Sequence, residues 1–179
     1  MKLLINSLTY GRIILGPIIF GILIFSNSYF VALLLFLMAS ISDYFDGFLA
    51  RRYNLSSELG EILDPIADKI LILFIFFALT VHLESAYIGF SASIILAREF
   101  WVSALRDFNA RTGNTHATKV SYMAKLKTTA QLITLAMYLF ALSLDSKLLI
   151  FIADFSLFAS LILTIQTGLQ YSLASFKKS

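Results

Sequence analysis

Six long apolar runs, at roughly 3–25, 30–50, 61–82, 87–109, 121–143 and 148–172, leave this chain few ways to fold. A helical bilayer span needs about 20 residues, so each run is long enough to cross. None alternates apolar and polar residues with period two, which argues against a transmembrane barrel. Charge decides the remaining question of solvent. Only 14% of the residues are charged and 59% are hydrophobic, whereas a soluble domain carries about 25% charged residues. The expectation is an all-α integral membrane protein with six transmembrane helices. The breaks between runs are short, near 26–28, 51–57, 82–85, 111–118 and 145–147, and leave no room for an aqueous domain. The chain reads as one domain over 1–179.

Basic residues set the orientation. Lys2, Arg12, Arg51, Arg52, Lys69, Arg106, Arg111, Lys119, Lys125, Lys127, Lys177 and Lys178 fall on or near one side; Lys147 is alone on the other. The positive-inside rule places that side, and both termini, in the cytoplasm. The net charge of +3 is explained by these positions, with no need of a nucleic-acid partner. The 17 Phe and 8 Tyr are not interleaved with basic residues and read as lipid-facing bulk or interfacial belt. The first run is not expected to be a cleaved signal, because Arg12 interrupts it and no small-residue site follows Phe25. The absence of cysteine excludes disulfides and thiolate metal ligation.

Against this apolar background four acids stand out: Asp43, Asp46, Asp64 and Asp68. A carboxylate at membrane depth is costly and marks a functional site by default. Asp43 and Asp46 are three apart and Asp64 and Asp68 four apart, spacings that share a helix face. Gly47 and Ala50 extend the first stripe and Gly60 the second, leaving backbone open to a bulky ligand. A short 51–57 turn would make the two helices antiparallel neighbours and bring the acids together. Converging carboxylates repel unless a cation joins them. Oxygen-only ligands favour Mg²⁺ or Mn²⁺ over zinc, and a two-metal site suits displacement at phosphorus. Arg51 is placed for a phosphate contact. Helix capping and pairing with arginine is the structural alternative for any single acid. A metal or proton transporter is the functional alternative for all four.

Residues 43–68 read D-Y-F-D-G-F-L-A-R-R-Y-N-L-S-S-E-L-G-E-I-L-D-P-I-A-D. The segment resembles, at every fixed position, the signature D-x2-D-G-x2-A-R-x8-G-x3-D-x3-D of the CDP-alcohol phosphotransferase family. The resemblance implies a six-helix membrane enzyme, a homodimer, that passes a substituted phosphoryl group from a CDP-linked donor to an alcohol and releases CMP. It implies two divalent cations, Mg²⁺ or Mn²⁺, held by Asp43, Asp46, Asp64 and Asp68, with Asp68 also the general base. Gly47, Ala50, Arg51 and Gly60 would line the CDP site. Three further segments resemble the family's bacterial branch that makes phosphatidylglycerol phosphate: N-S-L-T-Y-G-R (6–12), A-R-E-F-W-V-S-A-L-R-D-F (97–108) and K-L-K-T-T-A-Q (125–131). In place of the proline that often precedes Asn6 stands Ile5. The last run shows no such segment and is merely apolar.

That branch implies CDP-diacylglycerol as donor, sn-glycerol 3-phosphate as acceptor, and a bacterial cytoplasmic membrane with the active site facing the cytoplasm. A dianionic acceptor calls for a basic site, for which Arg98, Arg106, Lys125 and Lys127 are the candidates. Arg98 and Glu99 are neighbours whose side chains diverge by about 100° on a helix, so their pairing needs a third group. Arg106 falls on nearly the same face as Glu99, one heptad later. Lys125 and Lys127 diverge by roughly 200°; Lys127 shares a face with Gln131 and is expected to look inward. Within the family, cardiolipin synthase and phosphatidylinositol phosphate synthase activities are the alternatives. His82 and His116, remote from the acids in sequence, read as solvated.

Overall fold

The computed structural model describes the backbone of residues 2–53, 58–114 and 122–176; side chains at 2–8, 43–53, 58–62 and 65 lie outside the described set. Over these residues the chain forms six long helices: α1 (Lys2–Gly21), α2 (Tyr29–Tyr53), α3 (Glu58–His82), α4 (Ala86–Arg111), α5 (Tyr122–Ser143) and α6 (Lys147–Phe176). A π-helical turn, Ile22–Ser26, follows α1 and ends at Asn27 in the left-handed conformation (φ 51°). Among the described residues four helical stretches are long and apolar enough to cross a membrane: Thr9–Ser26, Ala86–Arg111, Tyr122–Ser143 and Lys147–Phe176. The break expected from residue 51 begins later. Arg51, Arg52 and Tyr53 continue α2 beyond its apolar run, because arginine is a good helix former and needs no burial.

The α3–α4 and α5–α6 connections are built alike. Glu84 (φ 48°) and Asp145 (φ 48°) take the left-handed position after their helices. The next amides reach back, Ser85 to the carbonyl of Thr80 (3.2 Å) and Ser146 to that of Ala141 (3.0 Å). These are Schellman closures. Ser85 and Ser146 then cap the following helix, accepting from the amides of Ile88 and Leu149, which satisfies otherwise unpaired first-turn donors.

Helices α3 and α5 are central and touch each other. On one side α1 packs on α3 and α2 on α5; on the other α4 packs on α3 and α6 on both α4 and α5. Among the described residues α2 and α3 do not pack directly, and α1 contacts both. The anticipated α2–α3 neighbourhood is therefore mediated by α1 over this part of the bundle. Gly16 permits the α1–α3 approach: a Cβ there would lie 3.3 Å from Phe74 Cδ2 and 3.4 Å from the Ile70 carbonyl oxygen. Gly16→Leu is expected to push the helices apart at a cost of about 1–3 kcal/mol, read as a lower melting temperature together with lower activity.

The bundle is divided along its length. Ile19, Leu23, Phe36, Ile75, Leu79, Ile88, Ile95, Leu135 and Leu157 make a continuous apolar core. Phe25, Phe30, Met38, Phe90, Phe151, Phe155 and Leu173 face outward, as lipid-facing residues would. Helix α6, merely apolar in sequence, carries a row of hydroxyls. Thr164, Thr167, Ser172 and Ser175 each donate to a backbone carbonyl four residues back. A hydroxyl has one proton, so once given to the backbone it is left as an acceptor. Each accepts from a neighbouring helix: Gln131 Nε2 (3.2 Å), Arg98 Nη2 (2.9 Å), Trp101 Nε1 (2.8 Å) and Asn109 Nδ2 (2.8 Å), respectively.

Candidate functional site

Two groups of interacting charged side chains lie toward the end of the bundle opposite the two Schellman turns. Asp64 and Asp68 sit on one face of α3, and α1 answers them with two buried residues, Arg12 and Thr9. Arg12, 1% exposed, donates from Nη2 to Asp64 Oδ1 (3.1 Å) and from Nη1 to Asp68 Oδ1 (2.6 Å). Thr9, buried one turn earlier on α1, donates to the same Asp64 oxygen (2.7 Å). The planar guanidinium fork suits such bridging, since its donors are fixed in one plane. Both acids stay open, 43% and 40% exposed. Arg12 thus braces one oxygen of each carboxylate without sealing the pair from solvent.

The sequence reading placed Arg12 only as a basic residue near the cytoplasmic side. The signal for its role lay in the segment 6–12: Thr9 and Arg12 are three apart, share a face, and interrupt an apolar run. Asp43, Asp46, Gly47, Ala50 and Arg51 lie on α2 and Gly60 on α3, all outside the residues whose side chains are described. Among the described residues no three metal-ligating side chains converge. The Asp64 and Asp68 carboxylate oxygens nonetheless fit a hard cation: they are accessible and adjacent, and among the described residues no His stands beside them, which is the donor chemistry of Mg²⁺ or Mn²⁺.

The second charged group lies across α3, α4 and α5. Glu99 Oε1 accepts from Arg98 Nη1 (3.1 Å) and also from Lys127 Nζ. Arg98 and Glu99 thus pair directly, without the third group expected from their divergence around the helix, and Lys127 shares the same carboxylate oxygen. Lys127 and Gln131 are both buried, as their shared face suggested, while Lys125 is exposed. Lys69, next to Asp68, donates to Ser103 Oγ on α4 and lies within electrostatic reach of Glu99, Arg106, Arg98 and Asp68. Lys69 was read only as a residue of the positive side. Its place one residue after a motif aspartate was the available sign. Arg98 and Arg106 both lie against the ring of Tyr171, at 5.7 and 5.6 Å from its centre.

Arg98 and Lys127 thus bind Glu99, Lys69 lies within reach of both Glu99 and Asp68, and Arg106 stands with Arg98 against the Tyr171 ring. The surplus is positive and beside a carboxylate that can take a proton. Such a site suits an anion carrying a hydroxyl. Of the four expected acceptor residues, the structure brings Arg98, Arg106 and Lys127 together and turns Lys125 outward.

One more carboxylate at membrane depth lies away from this site. Asp154 Oδ1 accepts from the buried Tyr138 hydroxyl (2.5 Å), and Tyr87 donates to the Asp154 carbonyl (3.1 Å). These contacts tie α4, α5 and α6 together near the opposite end and give Asp154 a structural explanation. His82, expected to be solvated, is instead half-buried against Tyr29, whose hydroxyl is 3.0 Å from Nε2; His116 lies outside the described residues.

A sequence model described as CDP-alcohol phosphatidyltransferase matches residues 2–166. The chain is 38% identical over 172 residues to the CDP-diacylglycerol–glycerol-3-phosphate 3-phosphatidyltransferase of Shigella flexneri serotype 5b (strain 8401), spanning 94% of this chain and 92% of that protein. It is 39% identical over 173 residues, with the same coverage, to the identically named protein of Escherichia coli (strain K12). A match that spans most of the chain, with relatives this similar end to end, is decisive: the chain belongs to the CDP-alcohol phosphatidyltransferase family.

Proposed function

We infer that this protein transfers the phosphatidyl group of CDP-diacylglycerol to sn-glycerol 3-phosphate, forming phosphatidylglycerol phosphate and CMP. The observation that carries the reading is the pairing of an open dicarboxylate, Asp64 and Asp68, with an adjacent cluster of surplus positive charge around Glu99. The first suits the diphosphate end of the chemistry and the second a phosphorylated alcohol. The identity of the relatives supports the same substrates.

Asp43, Asp46, Asp64 and Asp68 would together hold two divalent cations, Mg²⁺ or Mn²⁺, which when bound supply charge neutralisation at the diphosphate. Gly47, Ala50, Arg51 and Gly60 form the CDP side. Arg98, Arg106 and Lys127, joined by Lys69, bind the acceptor phosphate and direct the glycerol 1-hydroxyl toward Asp68. Asp68 takes the hydroxyl proton as the oxygen attacks the diacylglycerol-bearing phosphorus. The bond to CMP breaks, and CMP departs with the electron pair. Holding both reactants at fixed positions removes much of the entropic barrier. Arg12 keeps Asp68 in place throughout.

The same reading sets the protein in a bacterial cytoplasmic membrane as a six-span homodimer, both termini and the active site facing the cytoplasm. The one-sided distribution of Lys and Arg supports that orientation.

Purified protein supplied with CDP-diacylglycerol, radiolabelled glycerol 3-phosphate and Mg²⁺ is expected to move label into the lipid extract. Label entering from inositol phosphate, or labelled phosphatidylglycerol converted to cardiolipin on thin-layer chromatography, with no label from glycerol 3-phosphate, would replace the acceptor. Within that assay Lys127→Ala is expected to lower kcat/KM for glycerol 3-phosphate by about 10²-fold, since it leaves Glu99 buried beside one cation fewer. Lys125→Ala, on an outward face, should stay within about twofold, as expected for a snorkelling lysine.

A further inference from the structure

We propose that Tyr171 of α6 is a positioning residue for the acceptor, holding Arg98 and Arg106 at their working separation without neutralising either. The proposal rests on the acceptor site inferred above and extends it to a residue beyond the 2–166 segment that matches the family.

The geometry is specific. Arg98 and Arg106 are eight residues apart on α4, which separates their backbones by about 12 Å along the axis. Both guanidinium carbons nevertheless lie within 6 Å of one ring centre, at 5.7 and 5.6 Å. The two arginines share that one ring. It is itself fixed: Tyr171 is buried in a small cluster with Val102 and Leu105 of α4 and Ala124 of α5.

The two arginines differ in what else holds them. Arg98 is bound to Glu99 and Thr167, and its Cγ lies where a Cβ on Gly168 would approach to 2.9 Å. Arg106 is exposed and makes no ion pair among the described residues. Its recorded contact is the ring.

The chemistry explains why an aromatic ring stands there. Lys69, Lys127, Arg98 and Arg106 repel one another, and a carboxylate between the arginines would relieve this by cancelling the charge that an incoming phosphate needs. A π-face attracts cations through its quadrupole and adds no charge. It also leaves the guanidinium N–H donors at the edge of the plane available for an anion. Tyr171 therefore pre-positions Arg106 for the acceptor phosphate and leaves its charge intact.

The test is steady-state kinetics on the full-length protein in detergent micelles, with each substrate varied in turn. Tyr171→Leu is expected to raise KM for glycerol 3-phosphate about three- to tenfold, with kcat and KM for CDP-diacylglycerol within twofold of the parent. Tyr171→Phe, which keeps the ring, is expected to stay within twofold in all three. Combined with Arg106→Ala, the leucine substitution is expected to add little, because the ring then has no mobile arginine to hold. Equal effects on both substrates, a phenylalanine variant as impaired as the leucine one, or full additivity with Arg106→Ala would each overturn the role of the ring. An Arg106→Ala variant with an unchanged KM for glycerol 3-phosphate would overturn the acceptor assignment and this proposal with it. An impaired Arg106→Ala beside an unimpaired Tyr171→Leu would overturn the proposal alone.

Discussion

Arg12→Ala is expected to reduce kcat by at least about 10²-fold, the size of loss that follows when reacting groups are misplaced by an ångström or so. Arg12 supplies both bonds that join Asp64 to Asp68 from outside α3. Without it the two carboxylates, one turn apart, repel, and Asp68 leaves the position from which it meets the acceptor hydroxyl. Stability should fall as well. Removing one partner of a fully buried ion pair costs about 3–5 kcal/mol, and the 43% and 40% exposure of the acids lets water recover part of that. A drop of several degrees in melting temperature is expected, not a failure to fold. Arg12→Lys separates charge from shape. Lysine restores the positive charge but has no planar fork to reach both oxygens, so it is expected to recover stability more than kcat. A lysine variant with full kcat would show that charge alone suffices and that the bridge is incidental. Measured by calorimetry, Mg²⁺ binding to Arg12→Ala is not expected to weaken, because the site has become more negative.

The part of this site that could be read in the sequence is the part encoded by local spacing. Asp64 and Asp68 are four apart, and one helical turn puts both against Arg12. Lys127 and Gln131 are four apart, and both are buried. The apolar runs gave the helices for the same reason, since a span is written in contiguous residues. The contacts that escaped are those between distant segments. Arg12 meets acids 52 and 56 residues away, and nothing local to residues 9–12 names α3 as the partner. Helix α6 escaped for a different reason. Its Thr164, Thr167, Ser172 and Ser175 bond first to their own backbone, so in sequence they look like residues a membrane helix tolerates. Their remaining lone pairs have meaning only once Gln131, Arg98, Trp101 and Asn109 are seen opposite. The placement of α1 against both α2 and α3 was likewise invisible, because a short connection suggests sequential neighbours and does not exclude a third helix beside both.

The sharpest test of the chemistry is Asp68→Asn, expected to lower kcat by about 10²–10⁴-fold, the usual contribution of a general base. Asparagine keeps the size of the side chain and can still accept from Arg12 through its amide oxygen, so the α1–α3 bridge survives in weakened form. What it loses is the ability to take a proton and the charge to attract a cation. These two losses are separable. If Asp68 acts chiefly as base, Mg²⁺ affinity measured by calorimetry should fall modestly while kcat collapses, and raising Mg²⁺ should not restore turnover. If it acts chiefly as a cation ligand, affinity should collapse and high Mg²⁺ should recover much of kcat. Asp64→Asn is the control. Asp64 carries the Thr9 and Arg12 bonds on one oxygen and has no proposed part in proton transfer, so its loss should follow the ligand pattern. The first pattern at position 68 with the second at position 64 assigns the two carboxylates different work. The same pattern at both positions would remove the general base from Asp68 and leave the acceptor hydroxyl to be deprotonated elsewhere.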